Sequence, residues 1–457
     1  MSKGRGNVLI TGIGSYRPPH EITNQYLFDN FLSPIPHKQF IRKLMENFSS
    51  KKYRKYVEKA IEVVESERGL GVKTRYWDLL PFDGEAPLDK YKKRVKPRDR
   101  KTSAKLFNDK SNTQFSDGWK YISDELGLMG EIDENSHTDS AMALKAAKMA
   151  LYTADIDPKE IGAVFHGTAT PDATGGYSEA GRIATTLGIR DDIPVQDIIT
   201  GCSAAFDSIY AAKSLLMDPT NDIESVLITA SNFTSGNVRE FFRNKPKGWK
   251  APPGFPGSTS ILLFGDGAGA YVLKRAKDDD GTGIINIEKI NQAKYNPAFC
   301  LSGGSALPMT AKAIELGLEQ YYVHHGFVKN TAAKLMRRAV ELNTKRAKEK
   351  GLGDYHPSTA DLVIMHQASK NTLYAAQKEM GIDPAKMVNE VETRGNLVGA
   401  SIPIAHNIAL GRIKEGDIVN FTTIGGGWHA GDISYRAGPE SEKMFKRREE
   451  YKEKFLK

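Results

Sequence analysis

The chain has 457 residues, of which 40% are hydrophobic and 26% are charged, and its formal net charge is +8. This composition is too apolar for a disordered chain and is sufficient for a large buried core. No run of about eighteen apolar residues occurs, so we expect no transmembrane helix.

The first residues lack the apolar stretch and small-residue cleavage site of a secretory signal peptide. The two cysteines, Cys202 and Cys300, cannot build a disulfide framework, and no Cys/His cluster has metal-ligand spacing. We therefore expect a cytoplasmic protein without a metal site.

Part of the positive charge is concentrated in residues 90–101 and 443–457. Such runs are typical of solvated surface, and they are equally compatible with docking of an acidic partner. Neither run lies in a recognisable nucleic-acid-binding motif with stacking aromatics, so we expect no nucleic-acid partner.

Short apolar runs alternate with helical patterns along the chain. Runs rich in Val and Ile predict buried strands at residues 8–12, 163–166, 225–230, 262–264, 362–365 and 418–423. Helical periodicity predicts helices at residues 141–153, 203–217, 331–350 and 370–380. Strands that alternate with helices indicate an α/β fold.

The chain also carries an internal repeat. The predicted strands at 163–166 and 362–365 each run into a histidine, His166 and His366, and each half later closes with a glycine-rich strand pair. This repeat predicts two halves, residues 1–280 and 281–457, with the active site where they meet. His166 itself has no motif role that the sequence assigns.

Three stretches do not fit the repeat, at about residues 33–67, 79–137 and 239–257. The first is charged and helical in pattern, the second is polar and basic, and the third is rich in proline. We interpret them as insertions on the surface or over the active-site mouth.

Cys202 is the first candidate for chemistry, because it stands between an apolar run and a helix rich in small residues. The N–H groups and the dipole at a helix N-terminus lower the pKa of a thiol, and the thiolate is the nucleophile. A buried structural cysteine is the alternative reading of this residue alone. Other candidate site residues also give only a weak signal when taken alone. They are His366 at a strand end, Asn396 beside a glycine, and Gly425 to Gly427, where backbone N–H groups can form an oxyanion hole.

Taken together and in order, these segments resemble a known family. IITGCSAAFD (198–207), FGDGAGA (264–270), MHQAS (365–369), RGNLVGASIP (394–403) and IGGGW (424–428) resemble the motifs of the β-ketoacyl-acyl-carrier-protein synthase III family of the thiolase superfamily. The resemblance implies a duplicated thiolase-like α/β fold with five layers, αβαβα, and two pseudo-symmetric halves. It also implies a homodimer.

The resemblance further implies an acyltransferase that acts as a condensing enzyme in fatty acid, lipid or polyketide-type metabolism. Cys202 matches the acylated nucleophile, while His366 and Asn396 match the pair that binds the second thioester. Backbone N–H groups of Cys202 and Gly426 match the oxyanion hole, flanked by Gly425 and Gly427. An acyl-CoA or acyl-carrier-protein thioester would acylate Cys202, and malonyl-ACP or malonyl-CoA would then lose carbon dioxide and give a β-ketoacyl product. No cofactor is implied.

Relatives that condense thioesters without decarboxylation add a glutamate as base, which should fall near Gly176. Gly176 is not a glutamate, and the nearby Glu179 is placed where a helix should begin, so the decarboxylative route is favoured. Residues 33–67 replace the family's adenine-stacking segment, which leaves an acyl carrier protein as a credible donor instead of CoA. Three alternatives remain, namely a non-catalytic partner subunit, an acyltransferase to an oxygen or nitrogen acceptor, and a non-decarboxylative thioester condensation.

Overall fold

The computed structural model describes residues 7–33, 50–66, 70–80, 130–173, 177–243, 245, 250–251, 258–277, 280–295, 298–300, 310 and 321–456. Most of the predicted insertions lie outside these ranges, and so does the basic run at 90–101. Among the described residues, no helix has both the length and the apolarity needed to cross a membrane.

A five-stranded mixed sheet forms the first half. Its strands, in the spatial order β1-β7-β6-β4-β5, are β1 (Val8–Tyr16), β7 (Gly267–Arg275), β6 (Ser225–Asn232), β4 (Ala163–Gly167) and β5 (Val195–Ile198). The strands β6, β4 and β5 run parallel, while β7 is antiparallel to both β6 and β1. All residues of β6 and β4 are buried, as expected for strands covered by helices on both faces.

A four-stranded mixed sheet forms the second half. Its strands, in the order β11-β12-β13-β8, are β11 (Leu362–Met365), β12 (Ile418–Gly425), β13 (His429–Arg436) and β8 (Gly283–Asn291). The strands β11 and β12 are parallel, and β13 is antiparallel to β12 and β8. The order repeats that of the first sheet without its last edge strand, so two pseudo-symmetric halves are confirmed.

The helices cover and separate the two sheets. They are α1 (Asn24–Asn30), α2 (Ser50–Glu65), α3 (Asp139–Ala154), α4 (Glu179–Thr186), α5 (Ala204–Met217), α6 (Thr234–Arg243), α7 (Ser258–Leu263), α8 (His325–Glu349), α9 (Lys370–Met380), α10 (Val391–Arg394), α11 (Ser401–Ala409) and α12 (Glu440–Phe455). There are also two short strand pairs, β2 (His20–Thr23) with β3 (Thr74–Trp77) and β9 (Ala298–Cys300) with β10 (Tyr321–Val323).

The layers follow from which helix packs on which sheet. Helices α5 and α11 pack against each other, α5 against the first sheet and α11 against strands of both sheets. Helices α3 and α4 cover the outer face of the first sheet, and α8 covers that of the second. One apolar core joins both sheets through the central helices, with members such as Val226, Phe206, Ile402 and Phe421. The five-layer αβαβα arrangement is therefore confirmed.

One predicted strand is wrong. Residues 262–264 belong to the end of α7 and its exit, and the strand of this region starts only at Gly267. A short apolar run looks the same in a buried helix and a buried strand, and here the helix forms. The first sheet takes its strands from residues before 276 and the second from 283 onwards; the boundary between 280 and 281 stays a prediction.

Candidate active site

Cys202 lies in a single 3₁₀ turn, Gly201–Ser203, that connects β5 to the start of α5. Gly201 adopts a positive φ of 60°, which glycine tolerates and which turns the chain into the helix. Nearby, a side chain on Gly167 would lie 2.8 Å from the Cβ of Ala204, so the absence of one lets α5 start close to β4. Cys202 is thus held where the first sheet meets the centre of the molecule.

The Cys202 thiol has a raised pKa. Burial raises the pKa of the thiol to about 12, while the backbone N–H groups of Gly426 and of Cys202 itself, together with the Asn396 side chain, act to lower it. The sequence predicted a lowered pKa from the helix N-terminus. This prediction is wrong in direction, because desolvation of the charged thiolate outweighs the donors around it.

His366 follows β11 and is 1% exposed. Its backbone N–H donates to the carbonyl of Thr422 at 2.9 Å, which ties the end of β11 to β12. Burial lowers the pKa of the imidazole to about 3. Its Nδ1 has no hydrogen-bond partner among the described residues. The ring is therefore neutral near pH 7 and carries one N–H donor.

The side-chain amide of Asn396 is held in place by hydrogen bonds to main-chain groups. Its Oδ1 accepts the N–H of Val398 at 2.8 Å, and its Nδ2 donates to the carbonyl of Ala368 at 3.2 Å. Its main chain is paired with Leu263, since the Asn396 N–H donates to that carbonyl at 2.8 Å. Oδ1 is thus engaged by the protein main chain, whereas one of the two N–H groups of Nδ2 stays available to the thiol or to a substrate.

Gln367 joins the segments that carry the two donors. Its Nε2 donates to the carbonyls of Met365 and Val388 at 2.8 and 3.1 Å, and its Oε1 accepts the N–H groups of Glu390 and Val391 at 2.8 and 3.2 Å. One buried amide therefore connects the strand end before His366 to the segment that leads into Asn396.

A tight turn connects β12 to β13 beside Cys202. The Trp428 N–H donates to the carbonyl of Gly425 at 2.9 Å, and Trp428 has a positive φ of 57°. A side chain on Gly425 would lie 2.6 Å from Nε2 of His429 and 2.9 Å from Oγ of Ser203. The turn can therefore pack this closely against Ser203 and the His429 ring only because position 425 has no side chain.

Two cavities meet at Cys202. The larger, about 460 Å³, is lined by Cys202, His366, Asn396 and the insertion helix α2 through Val63 and Val64, among others. The smaller, about 310 Å³, is mostly apolar in its lining, with Ala169, Ile199, Val398 and His429 among its residues. Cys202 and Gly426 line both cavities. The structure thus brings Cys202, His366, Asn396, Gly425 and Gly426 to one cavity, while Gly427 lines the smaller one.

The sequence reasoning missed a polar network under the glycine turn. Ser203 Oγ donates to Asp207 Oδ2 at 2.9 Å and is also hydrogen-bonded to Nε2 of His429. Lys289 Nζ donates to the other oxygen of Asp207 at 2.5 Å. Burial acts to raise the pKa of Asp207, but His429 and Lys289 outweigh it and lower that pKa to about 2. The four residues come from three elements and the turn before α5, so no local motif marks them.

Glu179 lies away from the two cavities. It is the first residue of α4 and is 2% exposed. Its Oε1 accepts the N–H of Asp172 at 2.6 Å, and its Oε2 lies 3.0 Å from Nε2 of His166. It is not among the residues that line either cavity next to Cys202. Gly176, where a catalytic glutamate was sought, lies outside the described residues.

Comparisons with known proteins agree with this geometry. Residues 353–436 match the family described as 3-oxoacyl-[acyl-carrier-protein (ACP)] synthase III C terminal. The β-ketoacyl-[acyl-carrier-protein] synthase III of Rhizorhabdus wittichii is 28% identical over 346 residues, which cover 74% of this chain and 96% of that protein. The enzyme of the same name from Sphingopyxis alaskensis is also 28% identical, over 73% of this chain and 93% of its own length.

Solved structures show the same fold. The 3-oxoacyl-(acyl carrier protein) synthase III of Pseudomonas aeruginosa superposes with a TM-score of 0.60 at 18% identity and covers 94% of this chain and 98% of its own. OleA of Xanthomonas campestris superposes with a TM-score of 0.63 at 17% identity, over 95% and 97% of the two chains. The thiolase-like fold predicted from the sequence is confirmed.

Proposed function

The chain is a distant member of the β-ketoacyl-acyl-carrier-protein synthase III family of thiolase-like condensing enzymes, and from that membership we propose that it joins two acyl thioesters by decarboxylative Claisen condensation on Cys202. The observation that carries the proposal is the position of Cys202. It lies between two cavities, with His366 and Asn396 lining the larger.

The first step is acyl transfer. The sulfur of Cys202 attacks the carbonyl of an acyl thioester, the donor thiol leaves with the proton that Cys202 gives up, and the acyl group stays on Cys202. The smaller cavity, with its apolar lining, would take the acyl chain. The backbone N–H groups of Cys202 and Gly426 both act to lower the pKa of the thiol, which supports the proposal that they would hold the oxyanion that forms on the acyl carbonyl.

The second step is decarboxylation. A malonyl thioester in the larger cavity loses carbon dioxide, and the electron pair that remains is delocalised onto the thioester oxygen as an enolate. His366 and Asn396 would donate hydrogen bonds to that oxygen. Because burial keeps the His366 imidazole neutral, it acts as a hydrogen-bond donor and not as a cation. Loss of one such donor typically slows a reaction by about 10²–10³.

The third step forms the carbon–carbon bond. The enolate carbon attacks the acyl carbonyl on Cys202, the tetrahedral oxyanion collapses, and the Cys202 thiolate leaves and takes up a proton. The products are a β-ketoacyl thioester, carbon dioxide and the free enzyme. The raised pKa of the thiol favours its return to the protonated form at the end of the cycle.

The environment of Glu179 supports decarboxylation over condensation with a carboxylate base. A base must lie within about 3.2 Å of the proton that it removes, or reach it through one water. Glu179 instead faces His166 and the backbone of Asp172. We therefore propose that loss of carbon dioxide, and not proton abstraction, generates the carbanion.

Other parts of the proposal concern partners. Strand β5 lies at the edge of the first sheet and pairs within the described chain only with β4. Val195 on β5 is 40% exposed and Ile199 beyond it is 67% exposed. An apolar open edge of this kind supports pairing with a second copy of the chain. An acyl carrier protein is the proposed carrier of the thioesters, in the cytoplasm.

The test is intact-protein mass after incubation with acyl-CoA and acyl-carrier-protein thioesters, with Cys202→Ala as the control. We expect an adduct of one acyl group in the wild type, none in the variant, and discharge of the adduct by malonyl thioester with release of carbon dioxide. Discharge by an alcohol or amine without carbon dioxide would favour an acyltransferase to an oxygen or nitrogen acceptor. Absence of any adduct on a folded protein with a titratable thiol would overturn catalysis and favour a partner subunit.

A further inference from the structure

A second cluster of chemically active side chains lies buried between α3, β4, β6 and α4. Asp139 and His166 are fully buried, and Glu179 is 2% exposed. One ligating atom of each lies within 4.8 Å of the others. Neither the condensation chemistry nor any sequence motif accounts for this cluster.

The distances around His166 have a definite pattern. Its Nε2 lies 3.3 Å from Oδ1 of Asp139, 3.0 Å from Oε2 of Glu179 and 3.4 Å from Oγ of Ser231. Donor atoms about 2.0 Å from a tetrahedral zinc ion are separated by about 3.3 Å from one another. The three oxygens thus lie 3.0–3.4 Å from Nε2, close to that separation, and the ligating atoms of Asp139, His166 and Glu179 all lie within 4.8 Å of one another.

The polar atoms around Nε2 of His166 do not carry enough hydrogens for every acceptor oxygen to receive a hydrogen bond. Nε2 carries at most one hydrogen, which can serve only one of the two carboxylate oxygens. Its hydrogen bond goes to Asp139, which also accepts the hydroxyl of Ser231 at 2.5 Å. Oε2 of Glu179 is buried without a hydrogen-bond partner among the described residues. A buried carboxylate oxygen in this position is one that a bound cation would satisfy.

The remaining polar atoms of the three side chains are held from outside. Nδ1 of His166 is hydrogen-bonded to Oγ1 of Thr229 at 2.8 Å, and Oδ2 of Asp139 accepts the Thr170 hydroxyl at 2.8 Å. Oε1 of Glu179 accepts the N–H of Asp172 at 2.6 Å. This is the arrangement of metal ligands, whose second atom is oriented by an outer hydrogen bond.

A divalent ion would balance the buried charges of the cluster. The carboxylates of Asp139, Glu179 and Asp172 are buried, and the Asp172 side chain, which is 3% exposed, lies 3.8 Å from Arg182. A divalent ion on neutral His166, together with Arg182, balances three ionised carboxylates, and burial of an unbalanced charge is costly.

We propose that Asp139, His166 and Glu179 bind one divalent first-row transition ion, with zinc the best fit. One imidazole with carboxylate oxygens suits zinc and its neighbours, whereas calcium takes six to eight oxygens. This site departs from the sequence-based expectation of no metal, because its ligands are scattered over residues 139–179.

The role of the ion is to hold one wall of the smaller cavity. Thr170 bonds Asp139 and also accepts the N–H of Phe233 at 2.8 Å. Ala169 precedes Thr170, Asn232 follows Ser231, and both line the smaller cavity. The ion touches no reacting atom, so this proposal stands independently of the proposed condensation.

The first experiment measures metal content of untagged protein by inductively coupled plasma mass spectrometry. We expect about one ion per chain in the wild type and in His356→Ala, a matched histidine control outside the cluster, and none in Glu179→Gln. Refolding with Co²⁺ should give the strong visible absorption of a tetrahedral site in the wild type and in the control.

A second measurement does not depend on the variants being folded. Wild-type protein unfolded with a chelator and refolded without metal should have a lower Tm, which Zn²⁺ restores. If the isolated wild type carries no stoichiometric metal and its Tm does not respond to Zn²⁺, Mn²⁺ or Co²⁺, the proposal is overturned. A proton on His166 is then the occupant of the cluster.

Discussion

The backbone N–H of Gly426 acts to lower the pKa of the Cys202 thiol, and these two residues line both cavities of the site. The turn that carries Gly426 belongs to the second half of the chain, whereas Cys202 belongs to the first. The nucleophile and part of its stabilisation therefore come from different halves. Two halves of a duplicated fold can form such a site only at their interface.

Alkylation of Cys202 should increase with pH well beyond the range of an ordinary thiol. Burial raises the pKa of the thiol to about 12, and raising the pH increases the reactive thiolate fraction. The iodoacetamide rate should therefore rise about tenfold per pH unit from pH 7 to 10 without levelling, whereas an ordinary thiol levels near pH 9. Mass spectrometry of the Cys202 peptide separates this site from Cys300.

The Asn396 amide lowers the pKa of the same thiol, so Asn396→Ala should slow alkylation further at every pH. Asn389→Ala, which removes a more exposed asparagine bonded to Glu392, serves as the control. A wild-type profile that levels near pH 7 would mean that the helix N-terminus dominates over burial, as the sequence alone predicts.

The sequence predicted the fold and the site residues for different physical reasons. Buried strands such as β6 and β11 could be recognised because both faces are covered, which leaves continuous runs of Val, Ile and Leu. The strand-to-helix junction at Cys202 could be recognised because an apolar run stops at a glycine before small residues. These are local signals, and they persist in the folded chain.

Properties that depend on the folded environment could not be predicted. The pKa of Cys202 is set by how deeply the thiol is buried, which no neighbouring residue encodes. His429 and Asp207 meet only after β13 and α5 pack together. Asp139, His166 and Glu179 converge from three elements, so a search for metal-ligand spacing along the chain cannot find them.

Gly425→Ala should severely impair acylation of Cys202, and Gly427→Ala should be milder. A Cβ at position 425 would lie 2.6 Å from Nε2 of His429 and 2.9 Å from Oγ of Ser203, whereas one at position 427 would lie 3.2 Å from the His429 ring. The first variant must displace the His429 ring and Ser203, or else shift the turn itself, and a shift of the turn moves the N–H of Gly426. A fall in acylation rate of about 10² or more, the effect of one lost oxyanion donor, is expected for Gly425→Ala.

The acylation rate is read from intact-protein mass against time. The double variant Gly425→Ala with His429→Ala should recover part of the loss, because it removes the atom that the new Cβ meets. If the two glycine variants are equally active, close packing of the turn is not needed for acylation.

His366→Ala and Asn396→Ala should separate the two halves of the reaction. Both variants should still be acylated on Cys202, since acyl transfer uses the N–H groups of Cys202 and Gly426, although Asn396→Ala should be acylated more slowly because its thiol loses a donor that lowers the pKa. Discharge by malonyl thioester should fall by about 10²–10³, the effect expected for one lost hydrogen-bond donor. The measurement is single-turnover release of carbon dioxide from malonyl thioester by the pre-acylated enzyme.

The pH dependence of that step provides a second check on His366. Burial lowers the pKa of His366 to about 3, so its imidazole should stay neutral from pH 5.5 to 8. Over this range the wild-type rate should therefore show no titration of His366. A histidine with an ordinary pKa would give an inflection near pH 6.5 in this range. Such an inflection, lost in His366→Ala, would contradict a buried neutral donor.

Gln367→Ala should impair condensation more than acylation, although Gln367 is not among the described residues that line the two cavities next to Cys202. Its amide bonds the carbonyls of Met365 and Val388 and the N–H groups of Glu390 and Val391. Its loss leaves buried main-chain groups without partners, at about 1–3 kcal/mol for each group. It also frees the segment before Asn396 to move relative to His366. We expect the discharge rate to fall while the rate of Cys202 acylation is retained.

Gln377→Ala is the matched control, because that amide makes one described bond, to the carbonyl of Ile382. Comparable loss of both steps in Gln367→Ala, at equal loss of stability in the two variants, would reduce Gln367 to a general packing role.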